Sequence, residues 1–219
     1  MLFVCTGNQC RSPMAEAILR RALQDRCDLE VASAGTAGDG TPPPGHAATV
    51  MAEMGVDIAG RPSRRLSVED LVDADLVVTM GRQHLVDVAT LHPPAWDRAF
   101  TFTDLLKRAS AAGGRVRGES LAQWARRMSA GRTRSSVLSA GSAGDIADPM
   151  GGSLRDFEQT RDLLHKMVAQ LAPCLCPPGV GDPAATGGVP LGEGLAPAGR
   201  SGDPRPGGGR SRWRRWLRT

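Results

Sequence analysis

The sequence predicts an α/β fold in three layers, with a four-stranded parallel sheet flanked by helices on both faces. Short apolar runs alternate with helical patterns through the first 173 residues, and such alternation builds a parallel sheet. The run Asp75–Met80 is almost continuously apolar, which is typical of a central strand that is covered on both sides. Hydrophobic residues make up 41% of the 219-residue chain, which is enough for one core.

The first half of the pattern predicts two strands and two helices. Residues 1–5 form a short apolar strand, and residues 29–36 form the second strand with its exit turn. Residues 45–53 form a helix that Gly55 closes. Residues 12–25 form the first helix, because apolar residues recur on one face: Ala15, Ile18, Leu19, Ala22 and Leu23.

The second half repeats the alternation, again with strands that are followed directly by helices. Ser67 is a residue type that caps a helix N-terminus. The predicted elements are a short helix from Ser67 to Asp70, strand 75–80, helix 83–91, strand 98–102 and a helix from Asp104.

The last helix sets the predicted domain boundary. Apolar residues at helical spacing predict a helix from Ser153 to Leu171, and Pro173 is expected to stop it. The chain then divides into a folded domain, residues 1–173, and a tail, residues 174–219. The tail is rich in Pro, Gly and Arg and poor in large apolar residues, so we expect it to be disordered.

Residues 111–145 interrupt the alternation inside the folded domain. This stretch is rich in Gly, Ser and Arg around one amphipathic segment. We therefore expect a helical insertion that lies over the fold. Its apolar face consists of Leu121, Trp124, Ala125 and Met128.

The net charge of +4 belongs to the tail. Of 27 basic and 23 acidic residues, seven arginines and three acidic residues lie from Cys174 onward, which leaves 20 of each sign in positions 1–173. The last ten residues interleave five arginines with Trp213, Trp216 and Leu217. Such a segment is either a solvated basic end or a weak contact site for an anionic surface, of a membrane or of nucleic acid. No obligate nucleic-acid partner is expected.

Composition also favours a cytoplasmic location. No run of about eighteen apolar residues is present, so we expect no membrane-spanning helix, and the chain begins directly in a strand, without room for a signal peptide. An odd number of cysteines argues against a disulfide framework and for a reducing compartment. The cysteines are Cys5, Cys10, Cys27, Cys174 and Cys176.

Cys5 and Arg11 define the chemistry of the loop between the first strand and the first helix. A helix N-terminus points its free N–H groups and the positive end of its dipole into such a loop. A guanidinium matches phosphate oxygens two at a time, and the same positive field favours the thiolate of a cysteine. The loop therefore predicts a phosphate-binding site that contains a nucleophile. Its phosphate-binding residues are Thr6, Gly7, Asn8, Gln9, Cys10 and Arg11.

The motif Cys-Thr-Gly-Asn-x-Cys-Arg-Ser-Pro-Met-Ala-Glu, residues 5–16, follows Leu-Phe-Val directly. It closely resembles the signature of the low-molecular-weight protein tyrosine phosphatases, and the resemblance covers about residues 1–170. It implies a phosphatase that hydrolyses phosphate monoesters through a phosphocysteine intermediate, with protein phosphotyrosine as the favoured substrate. No metal and no cofactor are implied. The partner would be a phosphorylated protein or a small phosphomonoester.

The leaving oxygen needs a proton, and the resemblance supplies the candidate donor. In this family the general acid is the Asp of an Asp-Pro pair just before the last helix, which corresponds to Asp148-Pro149 here. Asp145 is the alternative. The predicted catalytic residues are thus Cys5, Arg11 and Asp148.

Three supporting roles complete the predicted site. Ser12, by its place in the motif, is expected to hydrogen-bond the Cys5 sulfur. Asn8 tolerates left-handed backbone and can brace the loop with its amide. Cys10 is the implied redox partner, which would trap an oxidised Cys5 as a reversible disulfide. The alternative for Cys10 is a thiol packed behind the loop.

The expected walls of the site depart from the family pattern, in which aromatic residues follow the acid and the second strand. Here Met150 and Ala37-Gly38-Asp39 occupy those places, the chain has no tyrosine, and Gln9 is polar where Ile or another small residue is common. Stacking on a phenyl ring would be weakened. A protein-arginine phosphatase is therefore the alternative function, and Trp124 is a candidate replacement wall.

Two further functions are less well supported by the sequence. Arsenate reductases that share this loop need two more cysteines in a mobile segment, and none lies between Cys27 and Cys174. A non-catalytic phosphate-binding module would not need the Cys5, Arg11 and Asp148 set. The four histidines, His46, His84, His92 and His165, show no metal-ligand spacing.

Overall fold

A four-stranded parallel sheet forms the centre of the protein in a computed structural model that describes residues 1–135 and 144–176. The strand order is β2-β1-β3-β4, so β1 lies inside the sheet. This confirms the predicted α/β class with its parallel sheet. The strands are β1 (Leu2–Cys5), β2 (Ala32–Gly35), β3 (Val77–Thr79) and β4 (Ala99–Thr101).

Helices follow the strands in nearly the predicted order. A 3₁₀ helix, Pro93–Arg98, precedes β4, and α5 begins directly after β4, two residues before the predicted Asp104. The α-helices are α1 (Arg11–Leu23), α2 (Gly45–Ala52), α3 (Val68–Asp73), α4 (Arg82–Leu91), α5 (Phe102–Ala112), α6 (Leu121–Ser129) and α7 (Leu154–Leu175). The strands are shorter than their apolar runs, because only part of each run pairs with a neighbour.

Strand β1 shows why the sheet needs helices on both faces. Its successive side chains point to opposite faces, and all four residues are buried. Phe3 contacts Phe102 of α5, with ring centroids 5.6 Å apart, inside the main hydrophobic cluster. Leu2 and Val4 are equally inaccessible on the other face. The continuous apolar sequence of β1 follows from this double cover.

The helix predicted within residues 111–145 is present as α6. Ser120 forms a capping box with Gln123 at its N-terminus. Trp124 is fully buried, and its indole N–H donates to the Gly113 carbonyl at 3.1 Å. The suggestion that Trp124 replaces an aromatic wall is therefore wrong, because its ring fills the core beneath α6. That residues 111–145 are an insertion stays a prediction.

The predicted end of the last helix at Leu171 is wrong. Helix α7 continues through Pro173 to Leu175. A proline inside a helix costs a hydrogen bond, but Ala172, Leu175 and Cys176 are buried, and this burial favours the longer helix. Residues 174–176 thus belong to the fold, whereas the predicted disordered segment from 177 to 219 lies outside the described residues.

Cys27 and Cys176 form a disulfide, which the odd number of cysteines had argued against. The two residues are 149 positions apart in sequence, and their approach depends on the packing of α1 against α7. Cys5, Cys10 and Cys174 are free. Within the described ranges, no helix has the length and apolarity that crossing a bilayer requires.

Candidate active site

The loop from Cys5 to Arg11 lies at the carboxyl end of the parallel sheet, where α/β folds bind ligands. Helix α1 begins at Arg11, with Cys10 at its N-cap position. No side chain caps this N-terminus, and its first turn carries no acidic residue. The first amides of α1 are therefore available to an anion.

Asn8 holds the loop closed from within. Its φ of 53° is left-handed, a conformation that Asn tolerates better than most residues. Its side-chain amide donates to Ser12 Oγ at 3.0 Å and to Ser33 Oγ at 2.7 Å. Its Oδ1 accepts from the Arg64 backbone N–H at 3.0 Å. The buried amide thus joins the loop to α1, to β2 and to the segment after α2.

Gly35, the last residue of β2, makes room for the loop. A Cβ at this position would lie 2.5 Å from the Thr6 carbonyl oxygen and 2.8 Å from the Asn8 nitrogen. No side chain fits at these distances, so the close passage of the loop across β2 requires glycine. The sequence offered only a glycine at a strand end as a signal for this contact.

The Cys5 sulfur lies on the floor of the loop, where it is buried. The Asn8 backbone N–H donates to it at 3.3 Å, and Ser12 Oγ lies 3.0 Å away. The expected Ser12 contact is therefore present. Hydrogen bonds from N–H and O–H groups stabilise a sulfur anion, both as a nucleophile and as a leaving group.

Arg11 and Asp148 meet at the rim of the loop, although they are 137 residues apart. The Arg11 side chain is 7% exposed and donates to the Ile146 carbonyl at 3.1 Å and to Thr6 Oγ1 at 3.4 Å. Its Nη2 also forms an ion pair with Asp148, whose side chain is 41% exposed. The geometry thus brings the three predicted catalytic residues together.

Asp145 takes a different place. Its Oδ1 accepts from the Arg82 backbone N–H at 2.8 Å, and its carboxyl group lies against Gly81. It therefore satisfies the N-terminus of α4, while Asp148 reaches the loop. Of the two candidate acids, the geometry favours Asp148.

Cys10 is buried at the start of α1, with its sulfur 3.2 Å from the Met150 sulfur. Burial raises the pKa of Cys10 to about 12, and the Asp148 and Cys5 charges act in the same direction. Cys10 is therefore a neutral thiol at physiological pH. Met150 covers it from the acid-bearing loop and is itself half exposed.

No sequence pattern indicated that His84 and Ser33 belong to the site. His84 Nε2 lies 2.9 Å from Thr6 Oγ1, and the residue is buried. Burial, and next the Arg11 charge, lower the pKa of His84. A lone histidine in a helical pattern gives no signal of such a contact, and a serine in a strand gives none either.

The wall of the site contains no phenylalanine or tryptophan among the described residues. Their phenylalanines are all buried in the core, Trp124 is inside it, and Trp96 lies under Arg132, 4.5 Å from its guanidinium carbon. The groups beside the loop are instead Met150 and Gln9, whose amide lies next to Gly7. Across the same described ranges, no group of three His, Cys, Asp or Glu residues could hold a metal ion.

Residues 1–117 match the family model described as low molecular weight phosphotyrosine protein phosphatase. A protein-arginine-phosphatase of Bacillus subtilis (strain 168) is 32% identical over 177 residues, which cover 78% of this chain and 93% of that protein. A low molecular weight protein-tyrosine-phosphatase of Escherichia coli (strain K12) is 35% identical over 109 residues, which cover 49% of this chain and 72% of that one.

A solved structure extends the comparison to three dimensions. It is an arginine phosphatase mutant in which a serine replaces a cysteine and the active-site serine is phosphorylated. Its TM-score with this chain is 0.60 at 29% identity, and the match covers 78% of this chain and 91% of that one.

Proposed function

Because this chain belongs to the low molecular weight phosphotyrosine protein phosphatase family, we propose that it dephosphorylates proteins through a phosphocysteine on Cys5. The main observation behind this proposal is that Cys5, Arg11 and Asp148 all lie at the N-terminus of α1, which no side chain caps. A structural relative in which a serine replaces a cysteine carries phosphate on its active-site serine, and this supports nucleophilic attack by an active-site side chain. That the chain is a phosphatase of this family follows from the matches themselves.

The first chemical step is in-line attack by the Cys5 sulfur on phosphorus. The loop amides and the Arg11 guanidinium bind the three equatorial oxygens, where negative charge accumulates. When the phosphate binds to Arg11, Asp148 leaves their ion pair and can turn to the leaving atom, while Arg11 keeps its place. Once out of the ion pair, the Asp148 carboxylate takes up a proton from solvent. The P–O bond then breaks as the P–S bond forms, and Asp148 gives that proton to the departing oxygen.

The second step is hydrolysis of the phosphocysteine. Asp148, now a carboxylate, accepts a proton from water as that water attacks phosphorus. The P–S bond breaks, inorganic phosphate leaves, and the sulfur returns to its hydrogen bonds with Ser12 and the Asn8 amide. No step requires a metal or a cofactor, because the loop supplies the positive charge.

Phosphotyrosine and phosphoarginine are the two candidate substrates, and we favour phosphoarginine. The matched arginine phosphatase aligns with 78% of this chain, whereas the matched tyrosine phosphatase aligns with 49%. Among the residues that the structure describes, the wall also lacks the aromatic rings that would stack on a phenyl group, and it offers Met150 and the Gln9 amide instead. In phosphoarginine the bond that breaks is P–N, and Asp148 would protonate nitrogen.

The deciding assay is hydrolysis of an aryl phosphate in mildly acidic, metal-free buffer. We expect the Cys5→Ser variant to lose turnover, since an alcohol is a much weaker nucleophile than a thiolate. Cys174→Ser changes a free cysteine at the far end of α7 and is the matched control. Turnover that survives Cys5→Ser contradicts the mechanism. Parallel kcat/KM values on phosphoarginine and phosphotyrosine peptides then decide the substrate class.

A further inference from the structure

We propose that His84 is a positioning residue for Arg11 and that it acts through the Thr6 hydroxyl. His84 Nε2 lies 2.9 Å from Thr6 Oγ1, and the same oxygen accepts from Arg11 Nη2 at 3.4 Å. The chain His84–Thr6–Arg11 thus connects α4 to the guanidinium at the rim of the loop. This inference rests on the proposed function, because the orientation of Arg11 matters only if it binds substrate phosphate.

The place of His84 in the fold supports a polar role. It lies in the first turn of α4, which starts where β3 ends beside β1, and it is 7% exposed. Burying an imidazole is unfavourable unless its nitrogens are hydrogen-bonded. Its Nδ1 is buried and finds no partner among the described residues. The hydrogen bond with Thr6 is therefore the polar interaction through which the buried ring contacts the site.

Arg11 needs an anchor that survives the catalytic cycle. Its guanidinium contacts Asp148, the Ile146 carbonyl and Thr6 Oγ1. When Asp148 turns to the leaving group, Ile146 still holds Nη1 and Thr6 still holds Nη2. A guanidinium held at both terminal nitrogens keeps one plane, which is what two-point binding of phosphate oxygens requires.

Thr6 can hold Arg11 only if its hydroxyl is fixed. The hydroxyl is at the exposed mouth of the loop and would otherwise rotate. Contact with His84 fixes it, and whichever partner donates, Oγ1 keeps a lone pair for Arg11. The ring therefore affects the reaction indirectly, through Thr6 and Arg11, and does not contact the substrate.

The ring is suited to this role because its surroundings disfavour the charged, protonated form. Burial, and then the charge of Arg11, lower the pKa of His84, while three carboxylates that face it act in the opposite direction: Asp87, Asp145 and Asp148. A neutral ring binds the Thr6 hydroxyl without placing a second cation beside Arg11.

The test compares His84→Gln with His84→Asn in steady-state hydrolysis of an aryl phosphate, with inorganic phosphate as competitive inhibitor. The glutamine amide reaches the position of Nε2, whereas the asparagine amide stops at the position of Nδ1. His84→Asn leaves the Thr6 hydroxyl free to rotate away from Arg11, and losing the Thr6–Arg11 hydrogen bond, which involves a charged group, corresponds to about a tenfold effect. We therefore expect His84→Asn to lower kcat/KM about tenfold and to weaken phosphate inhibition, and His84→Gln to retain most of both.

Thr6→Val completes a double-mutant cycle, since it removes the hydroxyl and keeps the Thr6 amide. We expect it to match His84→Asn, and the double variant to lose nothing further. His165→Asn, on the exposed surface of α7, is the matched control. Urea unfolding gives the free energy of unfolding of each variant. A variant that loses kcat/KM but keeps its free energy of unfolding has lost orientation of Arg11 and not stability.

The outcomes are distinct. An inactive wild-type protein that still binds inorganic phosphate would overturn the proposed function. An active wild type in which His84→Asn and His84→Gln behave alike would overturn the role of His84. Losses that multiply in the double variant would likewise contradict action through Thr6.

Discussion

Arg11 is the residue at which distant parts of the chain meet. Thr6 lies in the same loop, but Ile146 and Asp148 come from the segment before α7. Cys5 and Arg11 could be predicted because their spacing within one loop is local and their chemistry is specific. His84 could not be predicted, because only the parallel pairing of β1 with β3 brings α4 beside the loop.

The first prediction at this scale concerns Asp148. Replacing it with alanine removes the proton donor, so we expect kcat to fall roughly 10²–10⁴-fold for an alkyl phosphate. The loss should be smaller for an aryl phosphate with an acidic phenol, which leaves without help. The measurement is kcat against leaving-group pKa.

Asp145→Ala is the control for Asp148→Ala. Asp145 accepts from the first N–H of α4, so its loss should cost about 1 kcal/mol of stability, as for a helix cap. It should leave the dependence on the leaving group unchanged. Equal losses of kcat for good and poor leaving groups in Asp148→Ala would contradict its role as the acid.

The second prediction concerns Cys10, whose pKa is raised to about 12 mainly by burial. Because Cys10 is then a thiol well above neutral pH, iodoacetamide should label Cys5 before Cys10 at pH 7, as mass mapping would show. Hydrogen peroxide should oxidise Cys5 to a sulfenic acid with release of water. The Cys10 thiol should then displace a second water and form a disulfide.

The wild type and the Cys10→Ser variant should therefore differ in how far their phosphatase activity recovers after oxidation. Wild-type activity lost to peroxide should return with dithiothreitol, whereas that of Cys10→Ser should not, because its sulfenic acid oxidises further. Cys174→Ser should recover like the wild type. Full recovery of activity in the Cys10→Ser variant would contradict the redox role and indicate that Cys10 is only a packed thiol.

At the scale of elements, α7 shows what local rules omit. Pro173 is a helix breaker by residue type, and yet α7 runs to Leu175. Its final turn packs into the core, and Cys176 is bonded to Cys27 just beyond α1. Tertiary contacts outweigh the missing hydrogen bond of a proline that is only two residues from the helix end.

The third prediction tests this attachment. A disulfide that closes a loop of 149 residues restricts the unfolded chain strongly. We expect Cys176→Ser to lower the free energy of unfolding by about 2–5 kcal/mol in urea under oxidising conditions. Reductant should lower that of the wild type by a similar amount. Cys174→Ser, two residues away, should change it by less than about 0.5 kcal/mol.

The same experiment bears on catalysis. Helix α7 follows the Asp148 loop, but the disulfide lies at the opposite end of the helix. Reduction should therefore leave kcat/KM for an aryl phosphate nearly unchanged at temperatures where the protein stays folded. Equal stability in the presence and absence of reductant would contradict a stabilising disulfide.

At the scale of the whole molecule, charge is divided between two parts of the sequence. Positions 1–173 carry equal numbers of basic and acidic residues, and the last ten residues carry five arginines. We propose that these arginines give weak contact with anionic surfaces, and that catalysis does not use them. The proposal comes from the composition of a segment outside the described residues.

The fourth prediction follows from this division. Serine in place of the five arginines, Arg210, Arg212, Arg214, Arg215 and Arg218, should abolish binding to phosphatidylserine vesicles. Each arginine near such a surface contributes about 1 kcal/mol. The kcat/KM for an aryl phosphate should not change. Binding that persists in the variant, or that resists 0.5 M salt, would contradict an electrostatic contact, which salt screens.

The sequence by itself determined the α/β class and the nucleophile loop, and its resemblance to the family supplied the candidate acid. The first two features depend on local pattern: apolar runs and a strand–loop–helix motif. Residue chemistry and spacing along the chain carry that information without reference to distant contacts.

Only the tertiary structure decided how those residues are held and what surrounds them. The close passage over Gly35, the buried His84–Thr6 contact, the inward Trp124 and the Cys27–Cys176 bond all join residues that are distant in sequence. Each depends on which strands pair and which helices pack, and that is set by the burial of the whole core. The loop specifies the reaction, and the packing around it sets its walls and supports.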